Sequence, residues 1–279
     1  MTPSVFPGTS RSGLHLLVFG GGAPAIRRAA RRLGREAEAT RWFSNVVVTH
    51  EEHVSLLDPS FFTSRAPLFS DDSPGFGYWS WKPLLLQRYL SQPSLNAEAV
   101  LYLDAGCHLN VTPKSARRLA ENFQHAMLTG STFFCLAQHS QGDWISVEAA
   151  EHLGLTDAES QLPQVLAGTF ILRNDDGSRR LMTRWLELSQ MRDGELLAST
   201  APNHRHDQSL LSYVVYESGS TPLPDETWNE DWRLMKDSPF WTVRNRTGFR
   251  HRQNPTWNRL NRLMERARSR FVTTASSRY

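Results

Sequence analysis

The sequence predicts an α/β domain built on a mostly parallel central sheet with helices on both faces. Three observations predict it. The runs Leu14 to Phe19 and Ala99 to Leu103 are apolar but for His15, without polar alternation, as strands covered on both faces are. Segments of helical periodicity alternate with such runs over short connections, the order that parallel crossovers require. A glycine triplet, Gly20 to Gly22, closes the first run just before a helical segment, the form of a tight strand-to-helix turn.

The elements follow in order. After the strand Leu14 to Phe19 comes a helix with Pro24 near its start, Ala25, Ala29, Ala30 and Leu33 along it, and Gly34 near its end. Val46, Val47 and Val48 form a second short buried strand, and residues 53–77, rich in Ser, Pro, Phe and Asp, read as an ordered loop. A helix over Trp81 to Leu90 precedes the strand Ala99 to Leu103, which ends at Asp104. Then come a helix over Ser115 to Leu128, a strand over Phe133 to Ala137 and a helix over Val147 to Leu153. A strand over Thr169 to Leu172 and helices over Arg179 to Met191 and Gln208 to Tyr216 complete the pattern.

The chain has 279 residues, 39% hydrophobic and 21% charged, enough for one large α/β domain or two small ones, with an ample core. Its charged content is too low for a disordered chain, and no run of about 18 apolar residues offers a membrane span. The organisation expected is a flexible arm over 1–12, a catalytic-size domain over 13–243, and an Arg-rich tail over 244–279. Cys107 and Cys135 are the two cysteines, each inside an apolar run, so they read as reduced, buried thiols and place the chain in the cytoplasm. LHLLVF is too short for the apolar region of an export signal.

Charge is unevenly distributed. Residues 244–279 hold ten Arg and one acid, Glu265, which leaves the rest of the chain with 21 basic and 27 acidic groups and a net charge of −6. In the tail, Leu260, Leu263, Ala267 and Phe271 form one helical stripe with Arg259, Arg262, Arg266 and Arg270 beside it. Such a helix suits an anionic membrane surface, and a solvated helix resting on the body is the alternative. No nucleic-acid-reading motif accompanies the charge, so nucleic acid is not expected as a partner.

Ligands of such sheets bind beyond the carboxyl ends of the strands. Asp104 stands there, after five apolar residues, and burying an ionised group needs a partner or a metal. Since Thr112 is better placed to cap the next helix, Asp104 reads as a ligand-binding carboxylate. In GFGYWSWKP, Gly75 to Pro83, the aromatics suit a core, but Lys82 opens a helix, where a cation opposes the dipole, and so reads as awaiting an anion such as a diphosphate. A surface lysine is the alternative. The stretch NHRHDQS, Asn203 to Ser209, offers acid, base and hydrogen-bond donors at a helix start, which suits sugar hydroxyls or a metal; a cap by Asp207 with Ser209 is the plainer reading. The turn GGGAPA satisfies G-x-G-x-x-A, with Glu51 the nearest acid for a ribose, which keeps a dinucleotide-binding oxidoreductase open as a rival.

FGG after the first strand, GYWSWKP, YLDAGC, the LAGTFILRN strand and HDQSLLS occur in this order over residues 14–216. In this the chain resembles bacterial glycosyltransferases of the GT-A fold that build capsule and lipopolysaccharide chains, and more distantly the glycogenin-like transferases. The resemblance implies a GT-A-like, Rossmann-like α/β sheet. It implies that Phe19 and Gly20, with Gly21 beside them, border the nucleotide base and that Lys82 faces the diphosphate. Asp104, followed by Ala105 and Gly106, matches the first acid of the D-x-D motif that holds ribose and a divalent metal. Ala167 and Gly168 would line the donor sugar, His206, Asp207 and Gln208 would face sugar or acceptor, and Asp143 and Trp144 would meet the acceptor.

The second acid of D-x-D is Gly106 here. Either His206 or Asp207 completes a Mn²⁺ or Mg²⁺ site with Asp104, or Lys82 and nearby Arg side chains serve without metal. The function implied is transfer of a hexose from a UDP-sugar to a glycan or lipid-linked glycan in bacterial surface polysaccharide synthesis, with Asp207 or Asp143 as base in an inverting reaction. The chain is then cytoplasmic, with the tail holding it on the inner face of the membrane. An NAD(P)-dependent oxidoreductase, a catalytically silent glycan-binding relative and a membrane-surface adaptor remain as rivals.

Overall fold

A computed structural model of the chain describes residues 13–69, 73–227 and 235–242. The arm 1–12 and the basic tail 244–279 lie outside the described residues. The strands are β1 (Leu14–Phe19), β2 (Asn45–Thr49), β3 (Ala99–Asp104), β4 (His108–Leu109), β5 (Ser131–Ser140), β6 (Pro163–Arg173), β7 (Leu223–Pro224) and β8 (Phe240–Trp241). The helices are α1 (Pro24–Thr40), α2 (Glu51–Leu57), α3 (Pro59–Ser64), α4 (Gly75–Tyr78), α5 (Trp81–Leu90), α6 (Pro113–Thr129), α7 (Val147–Leu153), α8 (Asp157–Ser160), α9 (Asp176–Gln190) and α10 (Asp207–Glu217).

The expected mostly parallel sheet with helices on both faces is what the chain forms. Six strands lie in the order β2-β1-β3-β6-β5-β7. β1 pairs parallel with β2 and β3, and β5 with β7, while β6 runs antiparallel to both its neighbours, so five of the six strands share one direction. A separate antiparallel pair joins β4 to β8.

Side chains alternate across the sheet as the two-residue strand period requires. Leu17, Phe19, Val100, Tyr102 and Phe170 face a core shared with α5, α9 and α10, through Leu84, Leu85, Trp185 and Leu210. Leu16, Val18, Leu101, Leu103 and Ile171 face the other core, shared with α1 and α6 through Ala29, Leu33, Leu119 and Ala126. Covering both faces is what makes the strands continuous apolar runs. Cys107 and Cys135 are free and buried, as expected.

Three stretches differ from the sequence expectation: the first helix, residues 53–77, and the β5–β6 pair. The first helix passes Gly34 and continues to Thr40, because Gly34 serves packing: a Cβ there would stand 2.6 Å from Val48 Cγ2. Residues 53–77 are not one loop. The Asp58 carboxylate accepts the Phe61 N–H and Pro59 fills the first helical position, which starts α3 directly after α2. β5 and β6 extend to ten and eleven residues because they pair with each other along their length, across two register irregularities. Thr112 caps α6 as expected, accepting the Ser115 N–H.

Register brings the site into being. Phe19 is level with Thr49 on one side and Asp104 on the other, so the carboxyl ends of β2, β1 and β3 form one edge. Leu103 faces Thr169, which places Asp104 beside Gly168 of β6. Among the described residues no helix is long and apolar enough to cross a membrane.

Candidate active site

Asp104 terminates β3 with its side chain 40% exposed. The Tyr102 hydroxyl donates to its Oδ1 at 2.8 Å, and Lys82 Nζ stands 3.3 Å from the same oxygen. Its Oδ2 lies over Gly168, where an added Cβ would come within 2.8 Å. Gly168 is thus small because a carboxylate occupies the space a side chain would need. One oxygen of Asp104 is anchored and the carboxylate stays partly open to solvent.

Lys82 is 1% exposed on α5. Its ammonium donates to Asp207 Oδ2 at 2.7 Å and to the Ala167 carbonyl at 3.0 Å, besides its approach to Asp104. It is neither a surface lysine nor an ammonium awaiting an anion, since its three donor directions already meet protein oxygens. Burial works against its charge, but Asp104 and Asp207 outweigh that and hold its pKa above the ordinary lysine value. Asp207, the first residue of α10, is 5% exposed, and burial pushes its carboxyl up to about 6 against the pull of Lys82. Its main-chain carbonyl accepts the Trp185 indole N–H at 3.1 Å, fixing the start of α10 on α9. Burial and the Asp104 charge also push the Tyr102 phenol up, which keeps it a donor.

The glycine turn is filled by the protein itself. A Cβ on Gly20 would stand 2.4 Å from Ala30 Cβ, so that glycine lets α1 close on the strand. One on Gly21 would meet the Phe19 ring at 2.4 Å. Phe19 is buried and stacks on Trp81 at 3.6 Å, so it presents a supporting ring rather than an open face. Glu51, the acid a ribose would need in the dinucleotide reading, pairs with Arg27.

Two strained segments meet beside the cluster. Gly75, Phe76, Gly77, Tyr78 and Trp79 all have φ between 54° and 78°, a left-handed turn. For three aromatic residues this costs about 1–2 kcal/mol each. The two glycines are obligatory here, because side chains at Gly75 and Gly77 would collide with the Trp79 and Phe69 rings. Across from this turn, His206 has φ 52° and ψ −120°. Its ring lies 4.9 Å from Tyr78 and 6.0 Å from Trp79, and its Nδ1 hydrogen-bonds the Leu197 carbonyl at 2.9 Å. Strain held by surrounding packing in this way clusters at ligand sites. Lys82 follows one strained segment by three residues and Asp207 follows the other directly.

A polar rim joins 141–146 to 203–209. Asn203 Nδ2 donates to the Asp143 carbonyl at 3.1 Å, the Arg205 guanidinium covers the Trp144 ring at 3.8 Å, and His204 Nδ1 accepts the Ser146 N–H at 3.1 Å. The Asp143 side chain is exposed. Gln208, one residue into α10, gives its carbonyl to the Ser212 hydroxyl at 2.8 Å. Ser209 bonds Trp144 and Arg205 main chain, so it ties the rim together instead of capping α10 with Asp207.

Sequence reasoning missed the support beneath Ala105 to His108. Arg32, 1% exposed, donates to the Ala105 carbonyl at 3.0 Å and the Cys107 carbonyl at 2.8 Å, and pairs with Glu36, whose Oε1 lies 3.1 Å from His108 Nδ1. The signal was present: Arg32 and Glu36 are four apart on the stripe of Ala29 and Leu33 that faces the core.

These residues do not fit a divalent metal. Asp104 and Asp207 are separated by an ammonium, Gly106 supplies no second acid, and His206 directs Nδ1 to a carbonyl. Among the described residues no group of three His, Cys, Asp or Glu side chains converges as a metal site.

No family model and no curated protein matches the sequence. Solved structures with a similar chain course include mouse xyloside xylosyltransferase 1 in its apo form, at 15% identity over 82% of this chain and 97% of that one, TM-score 0.45. Others are the galactosyltransferase LgtC in complex with donor and acceptor sugar analogs, at 12% identity over 86% and 87%, TM-score 0.47, and a glycosyltransferase involved in glycosylation of the major capsid of PBCV-1, at 14% over 82% and 92%, TM-score 0.42. At this distance function has to be read from the site.

Proposed function

We propose that the chain is a glycosyltransferase that moves a hexose from a UDP-sugar to a saccharide acceptor. The observation that carries the reading is Asp104: a half-open carboxylate at the carboxyl end of the central strand, anchored by Tyr102 and Lys82 and seated on Gly168. An ionised carboxylate accepts only, so its free lone pairs suit a pair of neighbouring hydroxyls, as on a ribose or a hexose. The ordered motifs that resemble GT-A glycosyltransferases agree with this seat.

In the reaction the bond from the sugar's anomeric carbon to the leaving diphosphate breaks while an acceptor oxygen attacks and loses its proton. Asp104 would hold the donor in line, and rigidity is what such positioning needs. Of the two candidate bases, Asp207 is sealed behind Lys82 and would position Asp104, whereas the exposed Asp143 on the rim would take the acceptor proton. The acceptor would be a glycan or lipid-linked glycan of a bacterial surface polysaccharide, with the Arg-rich residues 244–279 drawing the enzyme to an anionic membrane.

A thermal-shift panel of UDP-, GDP-, CMP- and dTDP-sugars and NAD(H), run on the wild type and Asp104→Asn, tests the reading. A UDP-sugar should raise the melting temperature of the wild type alone, and incubation with saccharide acceptors should release UDP. Stabilisation by NAD(H) and by no nucleotide sugar would transfer the site to the oxidoreductase class. Binding of the sugar nucleotide without turnover would leave a silent relative.

A further inference from the structure

Resting on the transferase reading, we infer that this site works with the Lys82 ammonium in the position a divalent cation would take, so that donor binding at Asp104 needs neither Mn²⁺ nor Mg²⁺. A divalent ion between two carboxylates requires oxygens at about 2.0–2.2 Å and several further ligands. Here the space between Asp104 and Asp207 holds Nζ, 3.3 Å from one carboxylate and 2.7 Å from the other. The ammonium is not a passing occupant. It is 1% exposed, is fixed from a third side by the Ala167 carbonyl at 3.0 Å, and lies 5.2 Å from the centre of the Tyr102 ring.

The rest of the cluster agrees. Tyr102 already donates to the Asp104 oxygen nearest Lys82, the other oxygen lies against Gly168, and among the described residues no group of three His, Cys, Asp or Glu side chains converges to hold a metal. Displacing Lys82 would strand a buried ammonium, and a buried charge without a partner is strongly disfavoured. The fold therefore closes the cluster to a metal and makes Lys82 a positioning residue that fixes Asp104 for ligand hydroxyls.

The test titrates Mn²⁺ into the full chain, with and without UDP, following the free-ion electron paramagnetic resonance signal of wild type and Asp104→Asn. In parallel, the thermal shift given by a UDP-sugar is compared in EDTA and in Mn²⁺. The expected result is no Asp104-dependent Mn²⁺ uptake and the same shift in both buffers. A Mn²⁺ site present in the wild type and lost in Asp104→Asn overturns the inference, whether or not a nucleotide binds. A nucleotide shift that vanishes in EDTA overturns it and leaves the transferase reading standing. Absence of a shift in either buffer removes the transferase reading, while the Mn²⁺ titration alone still decides whether the cluster is closed.

Discussion

Lys82 Nζ and Asp207 Oδ2 are 2.7 Å apart, though 125 residues separate them in the chain, and both side chains are almost wholly buried. The pair joins the first turn of α5 to the first turn of α10, across the sheet edge where Asp104 stands. A buried pair of this kind is costly to break from one side. Lys82→Met leaves Asp207 charged or forces it to take a proton, and should lower unfolding stability by about 3–5 kcal/mol in urea denaturation. Lys82→Met with Asp207→Leu should recover most of that loss and none of the activity. A single variant as stable as the wild type would show that the pair does not hold the site.

The pH response follows from the direction of the Asp207 shift. Its carboxyl titrates near 6 in the folded chain, above the ordinary carboxylate value. A raised value means the folded state keeps a proton that the unfolded state has released, so this contribution is full below about pH 4 and is lost as pH rises through about 6. His204 works the other way: burial lowers it to about 4, so its contribution is present above the usual histidine range and lost as pH falls. Comparing wild type with Asp207→Asn across pH 4–7 isolates the first effect, and the stability difference should shrink or reverse across that window. Donor affinity should fall as pH drops through about 6 in the wild type, because the ion pair that orients Asp104 needs Asp207 ionised. An identical profile in Asp207→Asn would rule out Asp207 as its source.

Gly168→Ala probes the seat of Asp104. The new methyl would stand 2.8 Å from Oδ2, closer than real Cβ contacts permit, while Gly168 has no positive φ that would by itself exclude alanine, though it lies at a register irregularity between β5 and β6. The carboxylate is the group that yields, since Oδ2 is the free end of a side chain whereas the new methyl is fixed to the main chain. The expected result is a stability cost of about 1–3 kcal/mol and at least a tenfold loss in kcat/KM, mostly through donor KM. Unchanged kinetics would mean that the ligand does not use this carboxylate.

How far the sequence reaches is visible in particular residues. Burial pattern located β1 and β3 to the residue, and the position of Asp104 after AVLYL followed from it, as did the Thr112 cap. Those features depend on local periodicity and on one turn of chain. The reversal of β6 is not local: its direction depends on where the connection through α7 and α8 delivers the chain. Gly34 looked like a helix end because the composition of a helix does not say that Val48 will press against it. The partner of Lys82 was equally hidden, since no spacing rule links residues 125 apart. The left-handed turn over 75–79 escaped because Phe76, Tyr78 and Trp79 are residues that ordinarily avoid positive φ.

Arg32 offers the last test, one of support at a distance from any ligand. Its guanidinium holds the Ala105 and Cys107 carbonyls from below and pairs with Glu36, which in turn meets His108, so the loop that follows Asp104 rests on charged groups inside the core. Burial lowers the Arg32 pKa, but Glu36 beside it counters that, and the arginine remains the cation of the network. Arg32→Met keeps much of the volume and removes every donor. Two carbonyls then lose a bond and Glu36 loses its nearest cation, which should cost about 3–5 kcal/mol. Because Cys107 N–H bonds back to the Asp104 carbonyl at 2.9 Å, a loop released at Ala105 and Cys107 also loosens Asp104. Donor KM should therefore rise in the folded Arg32→Met enzyme more than kcat falls, although Arg32 is buried away from solvent. Glu36→Gln, which retains the shape and an acceptor, should produce a smaller change in both stability and KM. Equal effects of the two substitutions would mean that volume, and not the guanidinium fork, supports the loop.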